Sequence, residues 1–115
     1  MTQTPPGMPA VREVPAATVP GEAWVLDVRE DEEWAAGHAP DARHIPMTQL
    51  AARAGEIPQG QPVYVICRSG NRSARVAQAL AQAGWDAINV AGGMHDWAAA
   101  GRPMVTDGGA EPYVA

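Results

Sequence analysis

Short apolar runs alternate along the chain with segments of helical periodicity. The clearest run, residues 62–67, contains β-branched and aromatic side chains and is apolar on both faces, which is typical of a strand buried inside a sheet. Further strands are predicted at residues 11–14, 24–28, 42–45 and 87–90. Because helical patterns lie between them, we expect an α/β sandwich with a mainly parallel central sheet.

A glycine follows each of the predicted helices, which cover residues 31–36, 47–54, 71–83 and 94–100. Glycine commonly ends a helix because it adopts the left-handed conformation without strain. Acidic residues open the first helix, where the helix dipole favours them, and Thr48 is the expected cap of the second. The third helix is expected to bury the face that carries Ala74, Ala77, Leu80 and Ala81.

A chain of 115 residues has the length of one domain. We expect this domain to cover residues 11–105, with loose termini at residues 1–10 and 106–115. No apolar run approaches the roughly 20 residues that span a membrane, and the amino terminus has neither a basic leader nor an apolar core. We therefore expect no membrane partner, no secretion and a cytoplasmic location.

The charged residues exclude several kinds of chemistry. All 8 basic residues are arginines, so a Schiff-base lysine and a P-loop lysine are both excluded. The net charge of −5 argues against a nucleic-acid partner, because such binding needs a surplus of cations. Arg68, Arg72 and Arg75 nevertheless lie close together and predict a local positive site on an acidic body.

Cys67 is the only cysteine, and it ends the strongest predicted strand. One thiol forms neither an internal disulfide nor a cysteine-rich zinc site, and we expect no metal ion and no cofactor. Ligands of parallel sheets bind at the carboxyl ends of strands, where loop N–H groups and a helix amino terminus favour an anion. Cys67 is therefore a candidate nucleophile whose pKa the helix dipole, Arg68 and Arg72 should lower. The alternative is a small buried apolar residue.

The loop after Cys67 supplies the candidate binding residues Arg68, Ser69, Gly70, Asn71, Arg72 and Ser73. Gly70 permits backbone angles that are closed to other residues. Ser69 and Ser73 can donate hydrogen bonds to a bound anion. Alternatively, Ser69 or Asn71 serves only as the cap of the helix that follows.

Asp27, Arg29 and Glu33 lie near the end of the second predicted strand. We expect a buried charge network that supports the loop; the alternative is a surface ion pair of small value. His38 and His44 have a proline between them at a spacing that does not suit a metal site on a helix. We expect both histidines to be turn and packing residues.

Three segments resemble the sequence signatures of single-domain rhodaneses, which are thiosulfate sulfurtransferases. Residues 67–73 resemble the active-site loop of this family, and residues 26–40 and 90–103 resemble its amino-terminal and carboxyl-terminal signatures. Ala39 and Asp41 stand where isoleucine and glycine are common, which concerns local packing rather than chemistry. The resemblance implies a rhodanese-like three-layer sandwich, with helices flanking the sheet.

The resemblance also implies a ping-pong reaction through a persulfide. Cys67 attacks the outer sulfur of thiosulfate, sulfite leaves, and an acceptor such as cyanide or another thiol removes the sulfur. Arg68 is favoured over Arg72 as the donor contact because it directly follows the nucleophile. Phosphatases that share the fold have a longer loop and a histidine at the position of Ile66, so phosphatase activity is not expected. The alternative function is a sulfur-carrier module that delivers persulfide sulfur to an acceptor protein.

Overall fold

The computed structural model describes residues 11–115, in which five strands form one sheet. Every pair of neighbouring strands is parallel. The strands lie in the spatial order β1-β5-β4-β2-β3. Along the chain they are β1 (Arg12–Pro15), β2 (Trp24–Asp27), β3 (Arg43–His44), β4 (Pro62–Ile66) and β5 (Asp86–Ala91). The predicted α/β class with a parallel central sheet is confirmed.

The α-helices of the described chain are α1 (Asp31–Ala36), α2 (Leu50–Arg53), α3 (Asn71–Gln82) and α4 (Gly93–Ala99). The structure differs from the prediction of one helix over residues 47–54 with Thr48 as its cap. Pro46 caps a 3-10 turn that precedes α2, and a second 3-10 turn follows α2. Because proline presets its own φ, the turn begins before Thr48, which lies exposed inside it.

Apolar side chains cover the sheet on both faces, because successive residues of a strand point to opposite sides. In β4, Val63 and Val65 belong to a cluster that includes Leu80 of α3. Ile66 belongs to a second cluster that includes Trp97 of α4. Burial on both faces explains the continuous apolar run in the sequence and gives the three-layer arrangement.

The buried face of α3 is turned slightly from the predicted one. Ala74 and Ala81, which were expected on the buried stripe, are only half-buried. The buried residues of this helix are Ser73, Val76, Ala77 and Leu80. The side chain of Val76 is larger than those of Ala74 and Ala81, and it takes the inward position. This orientation brings a serine hydroxyl into the interior at the first turn of the helix.

Residues 106–115, which the sequence predicts to be loose, contact the domain in the structure. The N–H of Tyr113 donates to the carbonyl oxygen of Ala36 at 2.9 Å, and Val114 packs against the second apolar cluster. The prediction for residues 1–10 lies outside the described residues. No helix among residues 11–115 is long and apolar enough to cross a membrane.

Candidate active site

Cys67 lies immediately after β4, which is the central strand of the sheet. The residue is 1% exposed, and its Sγ accepts hydrogen bonds from the Gly70 N–H at 3.1 Å and the Ser73 Oγ–H at 3.2 Å. The chain between β4 and α3 therefore curls around the sulfur. Donors arranged in this way stabilise negative charge at their centre.

Gly70 is the residue that lets the loop turn. Its φ of 101° lies in the left-handed region, and a Cβ at this position would stand 3.0 Å from the backbone nitrogen of Gly92. Gly70 is also the cap residue of α3, and no side chain caps this helix. The alternative in which Ser69 or Asn71 caps the helix is therefore wrong, and both residues are exposed.

The pKa of the Cys67 thiol is lowered, although burial by itself would raise it. Hydrogen bonds from the Ser73 hydroxyl and from the backbone N–H groups of Ser73, Gly70 and Ser69 outweigh the burial. The direction agrees with the sequence prediction, and so do the N–H groups of the loop that the sequence analysis names. The largest single lowering contribution comes from the Ser73 hydroxyl, whereas the prediction gave the helix dipole and the arginines more weight.

The beginning of α4 holds the other side of the loop. The Met94 N–H donates to the Cys67 carbonyl oxygen at 2.8 Å, and the next N–H of the helix donates to the Arg68 carbonyl oxygen at 2.9 Å. The first N–H groups of a helix have no partner inside it, so the loop supplies their acceptors. Gly93 permits this approach, since its φ is 55° and an added Cβ would lie 2.7 Å from the Arg68 oxygen.

Arg72 and Glu33 join α3 to α1 beside the loop. Both terminal nitrogens of Arg72 donate to the Glu33 carboxylate, each at 2.8 Å. This bidentate contact lowers the pKa of Glu33 to about 2 and raises that of Arg72. The sequence groups Glu33 with Asp27 and Arg29. In the structure its carboxylate accepts hydrogen bonds from Arg72 and from the Glu30 N–H, while Arg29 acts on it only through its charge.

A Glu33→Gln substitution is expected to remove a pH-dependent part of the stability. The pKa of Glu33 is about 2 in the folded protein, against a usual 4.5. A lowered folded pKa means that the carboxylate stabilises the fold fully above pH 4.5 and loses this effect as the pH falls toward 2. The stability advantage of the wild type over the variant should therefore shrink across this interval. Urea unfolding followed by tryptophan fluorescence measures it.

The matched control for this experiment is Glu32→Gln, which changes an exposed acid in the same helical turn. We expect the control to show no comparable change with pH. A Glu33→Gln effect of constant size from neutral pH down to 2 would contradict the assigned role of the Arg72 contact.

Asp27 and Arg29 form a buried ion pair at the end of β2, and both side chains are 0% exposed. The Arg29 Nη2 donates to the Asp27 carboxylate at 2.8 Å and to the Gly37 carbonyl oxygen at 2.8 Å. Arg29 Nη1 is buried and has no hydrogen-bond partner within residues 11–115. The pair thus ties the end of the strand to the residue that ends α1, the helix that carries Glu33.

Asn89 is a positioning residue that the sequence prediction misses. It is 1% exposed in β5, and its Nδ2 donates to the Gly70 carbonyl oxygen at 3.2 Å and to Glu13 Oε2 at 2.6 Å. It therefore links β1 to the loop residue whose N–H faces the sulfur. The sequence does contain a signal for this role, namely a single amide side chain inside the apolar run 87–90. A buried polar side chain needs a hydrogen-bond partner, so this amide indicates a contact inside the domain.

His38 and His44 both stack on Trp34, with ring centroids 3.5 Å and 4.7 Å away. His38 Nδ1 lies 2.9 Å from the Trp34 carbonyl oxygen, and His44 Nε2 lies 2.8 Å from that of Arg29. The two histidines are packing residues in the structure, as the sequence predicts. Within residues 11–115, no group of three His, Cys, Asp or Glu side chains is arranged to hold a metal ion.

The structure combines a parallel sheet, flanked by helices, with a loop after the central strand that stabilises a thiolate. Comparison with known families identifies the class of protein that has this combination. The family model described as a rhodanese-like domain matches residues 14–100. The chain therefore belongs to the rhodanese-like domain family, and the resemblance found in the sequence is confirmed.

Relatives and solved structures agree with this assignment. A sulfurtransferase of Allochromatium vinosum is 38% identical over 86 residues, which cover 74% of this chain and 80% of the relative. YrkF of Bacillus subtilis, which bears the provisional name of a sulfur carrier protein, is 42% identical over 74 residues. That alignment covers 64% of this chain and 40% of YrkF, so the chain spans about two fifths of this relative. The crystal structure of a rhodanese-related protein from Thermoplasma volcanium superposes with a TM-score of 0.79 at 32% identity, covering 84% of this chain and 99% of the other.

Proposed function

We propose that the protein is a sulfurtransferase that moves a sulfane sulfur from thiosulfate, or a similar anionic donor, to cyanide or a thiol through a persulfide on Cys67. The observation that carries this proposal is the Cys67 Sγ, which accepts hydrogen bonds from the Gly70 N–H at 3.1 Å and the Ser73 hydroxyl at 3.2 Å. These donors favour the thiolate, which is the nucleophilic form. The family and the name of the Allochromatium relative support the same chemistry.

The proposed reaction has two displacements. In the first, the Cys67 thiolate attacks the outer sulfur of thiosulfate; a new S–S bond forms, the S–S bond of thiosulfate breaks, and its electron pair leaves with sulfite. In the second, cyanide or a thiolate attacks the outer sulfur of the persulfide, and the electron pair returns to Cys67. Dividing the transfer in this way through a covalent enzyme form is nucleophilic catalysis.

In this proposal Arg68 is the contact for the anionic donor. Arg68 is exposed and directly follows Cys67 in the sequence. The guanidinium of Arg72, by contrast, is engaged by two hydrogen bonds of 2.8 Å to Glu33. A guanidinium suits such a donor because it binds an anion through two parallel N–H bonds.

Intact-mass measurement of the purified protein after treatment with thiosulfate tests the proposal. We expect the folded wild type to gain one sulfur atom and to lose it again on addition of cyanide. The Cys67→Ser variant should gain nothing, because a hydroxyl does not accept the sulfur under these conditions. A wild type that is folded but gains no sulfur would refute thiosulfate as the donor.

A sulfur carrier that passes its persulfide to an acceptor protein is the second candidate function. One observation favours it, namely the provisional name of YrkF. A carrier would form the same persulfide but release the sulfur slowly to cyanide. The rate of sulfur loss from the isolated persulfide form to cyanide therefore separates the two functions, since a sulfurtransferase turns over rapidly with small acceptors.

A further inference from the structure

Residues 106–115 form a carboxyl-terminal strap that is anchored on α1 and on the residues just after it. Asp107 Oδ1 lies 3.3 Å from Nε2 of the buried His38. The N–H of Tyr113 donates to the carbonyl oxygen of Ala36 at 2.9 Å. Ala36 is the last residue of α1, the helix that carries Glu33.

The end of this strap reaches Arg68. The Arg68 Nε–H donates to the carbonyl oxygen of Ala115 at 2.9 Å, across 47 residues of sequence. Ala115 is two residues from the anchored Tyr113, a reach of about 7 Å in extended chain. Because only two residues separate Ala115 from the anchored Tyr113, the Ala115 oxygen stays close to the Arg68 guanidinium. The effective concentration of this acceptor beside Arg68 is therefore high.

We propose that the strap competes with the anionic sulfur donor for Arg68 and thereby sets the affinity of the site for that donor. The inference rests on the proposed function, in which Arg68 binds the donor. An arginine binds an anion side by side through two neighbouring N–H groups, and the Ala115 carbonyl occupies one of them, the Nε–H. A donor that uses this edge of Arg68 displaces the strap.

The two arginines of the loop differ in how easily their partners can be exchanged. Arg72 is bound to a carboxylate through two bonds, so a second anion must compete with a full charge. The strap offers Arg68 one backbone oxygen through a single hydrogen bond of 2.9 Å, so an anion that binds side by side gains a second bond when it takes the place of the strap. A dianion such as thiosulfate therefore displaces the strap from Arg68 but leaves Glu33 on Arg72.

A Gly37→Ala substitution displaces the strap without touching the loop. The added Cβ would stand 2.8 Å from the Tyr113 carbonyl oxygen and 2.9 Å from its nitrogen. The third close atom is the Cε of Met104, at 2.8 Å, which is the end of a flexible side chain. The backbone of Gly37 is extended, so alanine adopts its conformation without strain.

The readout is the thiosulfate concentration that half-saturates single-turnover persulfide formation. We expect Gly37→Ala to lower it by about three- to tenfold, which is somewhat less than a hydrogen bond to a charged group usually contributes, because Arg68 is exposed. The maximal rate should stay unchanged, since the contacts to the Cys67 sulfur are intact. The matched control is Gly108→Ala, within the strap, where an added Cβ meets nothing within 4 Å and the half-saturating concentration should equal that of the wild type.

A second measurement does not depend on how well Gly37→Ala folds. In the Cys67→Ser variant, which binds thiosulfate without reacting, we expect thiosulfate to accelerate deuterium exchange of the Tyr113 amide as followed by NMR. Sodium chloride at equal ionic strength should leave the exchange rate unchanged. If thiosulfate slows the exchange or has no effect, donor binding does not release the strap and the inference is overturned.

The outcomes separate this inference from the function on which it rests. A folded wild type that forms no persulfide with thiosulfate refutes thiosulfate as the donor, which is the part of the proposed function on which the inference rests. A wild type and a Gly37→Ala variant that form persulfide with the same half-saturating concentration refute only the strap inference. A higher half-saturating concentration in Gly37→Ala would also refute it, because the strap would then help Arg68 to bind the donor.

Discussion

The Asp27→Asn variant is expected to unfold with a free energy about 3–5 kcal/mol below that of the wild type, which is the usual loss when one partner of a buried ion pair is removed. Arg29 is 0% exposed and would keep its charge inside the domain without a carboxylate beside it. A domain of this size is stable by roughly 5–15 kcal/mol, so the loss is a large part of the total. Urea unfolding followed by tryptophan fluorescence gives the difference by linear extrapolation.

The control for this prediction is Glu56→Gln, which makes the same chemical change at the surface. Glu56 contacts Arg53 at 2.8 Å, but the two side chains are 55% and 35% exposed. Exposed ion pairs contribute little to stability, so the unfolding midpoint should barely move. If Asp27→Asn unfolds as close to the wild type as this control does, the buried pair does not stabilise the fold.

A series of contacts connects the buried pair to the candidate active site. Arg29 holds the carbonyl oxygen of Gly37, which ends α1, and α1 carries the carboxylate that binds Arg72. The sulfur itself is held by the loop and by the first turn of α3. The buried pair therefore supports the position of helices. Hydrogen bonds from neutral groups are the main stabilisers of the thiolate, and Arg72 adds a Coulombic attraction.

The position of the candidate nucleophile could be predicted from the sequence because the information is local. An apolar strand that ends in Cys67, a loop with Gly70 and a helix from Asn71 onward lie within one short segment. The carboxyl ends of parallel strands face the same edge of a sheet, so this segment alone predicts a site there. The structure has the strand, the turn at Gly70 and the helix at these residues.

The partners of the site residues could not be predicted in the same way, because they come from distant parts of the chain. Glu33 is close in sequence to Asp27 and Arg29, yet it binds Arg72, 39 residues away. The contact of the strap with Arg68 uses a backbone carbonyl. The glycines among residues 106–115 predict a loose end, because composition describes side chains only. In the structure, backbone groups attach this segment to the domain.

The Ser73→Ala variant is expected to form persulfide about three- to fivefold more slowly than the wild type at pH values below the pKa of the wild-type thiol. Ser73 is 0% exposed, and its Oγ donates to the Cys67 Sγ at 3.2 Å. This bond lowers the pKa of the thiol, so its loss raises the pKa and leaves less thiolate at every pH below the plateau of the rate. A hydrogen bond to a charged group contributes about 1.5 kcal/mol, which is about one pKa unit and a roughly tenfold loss of thiolate. The higher nucleophilicity of the remaining thiolate makes up about half of this loss on a logarithmic scale.

The pH dependence distinguishes this cause from a general loss of structure. Ser73→Ala raises the pKa of the thiol, so the curve of persulfide-formation rate against pH should be shifted to higher pH. At the top of this curve the variant should approach the plateau of the wild type. A thiolate of higher pKa is also the stronger nucleophile, so the plateau should not fall below that of the wild type. Ser69→Ala is the matched control, since its exposed hydroxyl is lost while its backbone N–H, which also lowers the pKa of Cys67, remains. A Ser73→Ala profile that keeps the wild-type midpoint but has a lower plateau would show that the hydroxyl acts on the fold of the loop rather than on the charge of the sulfur.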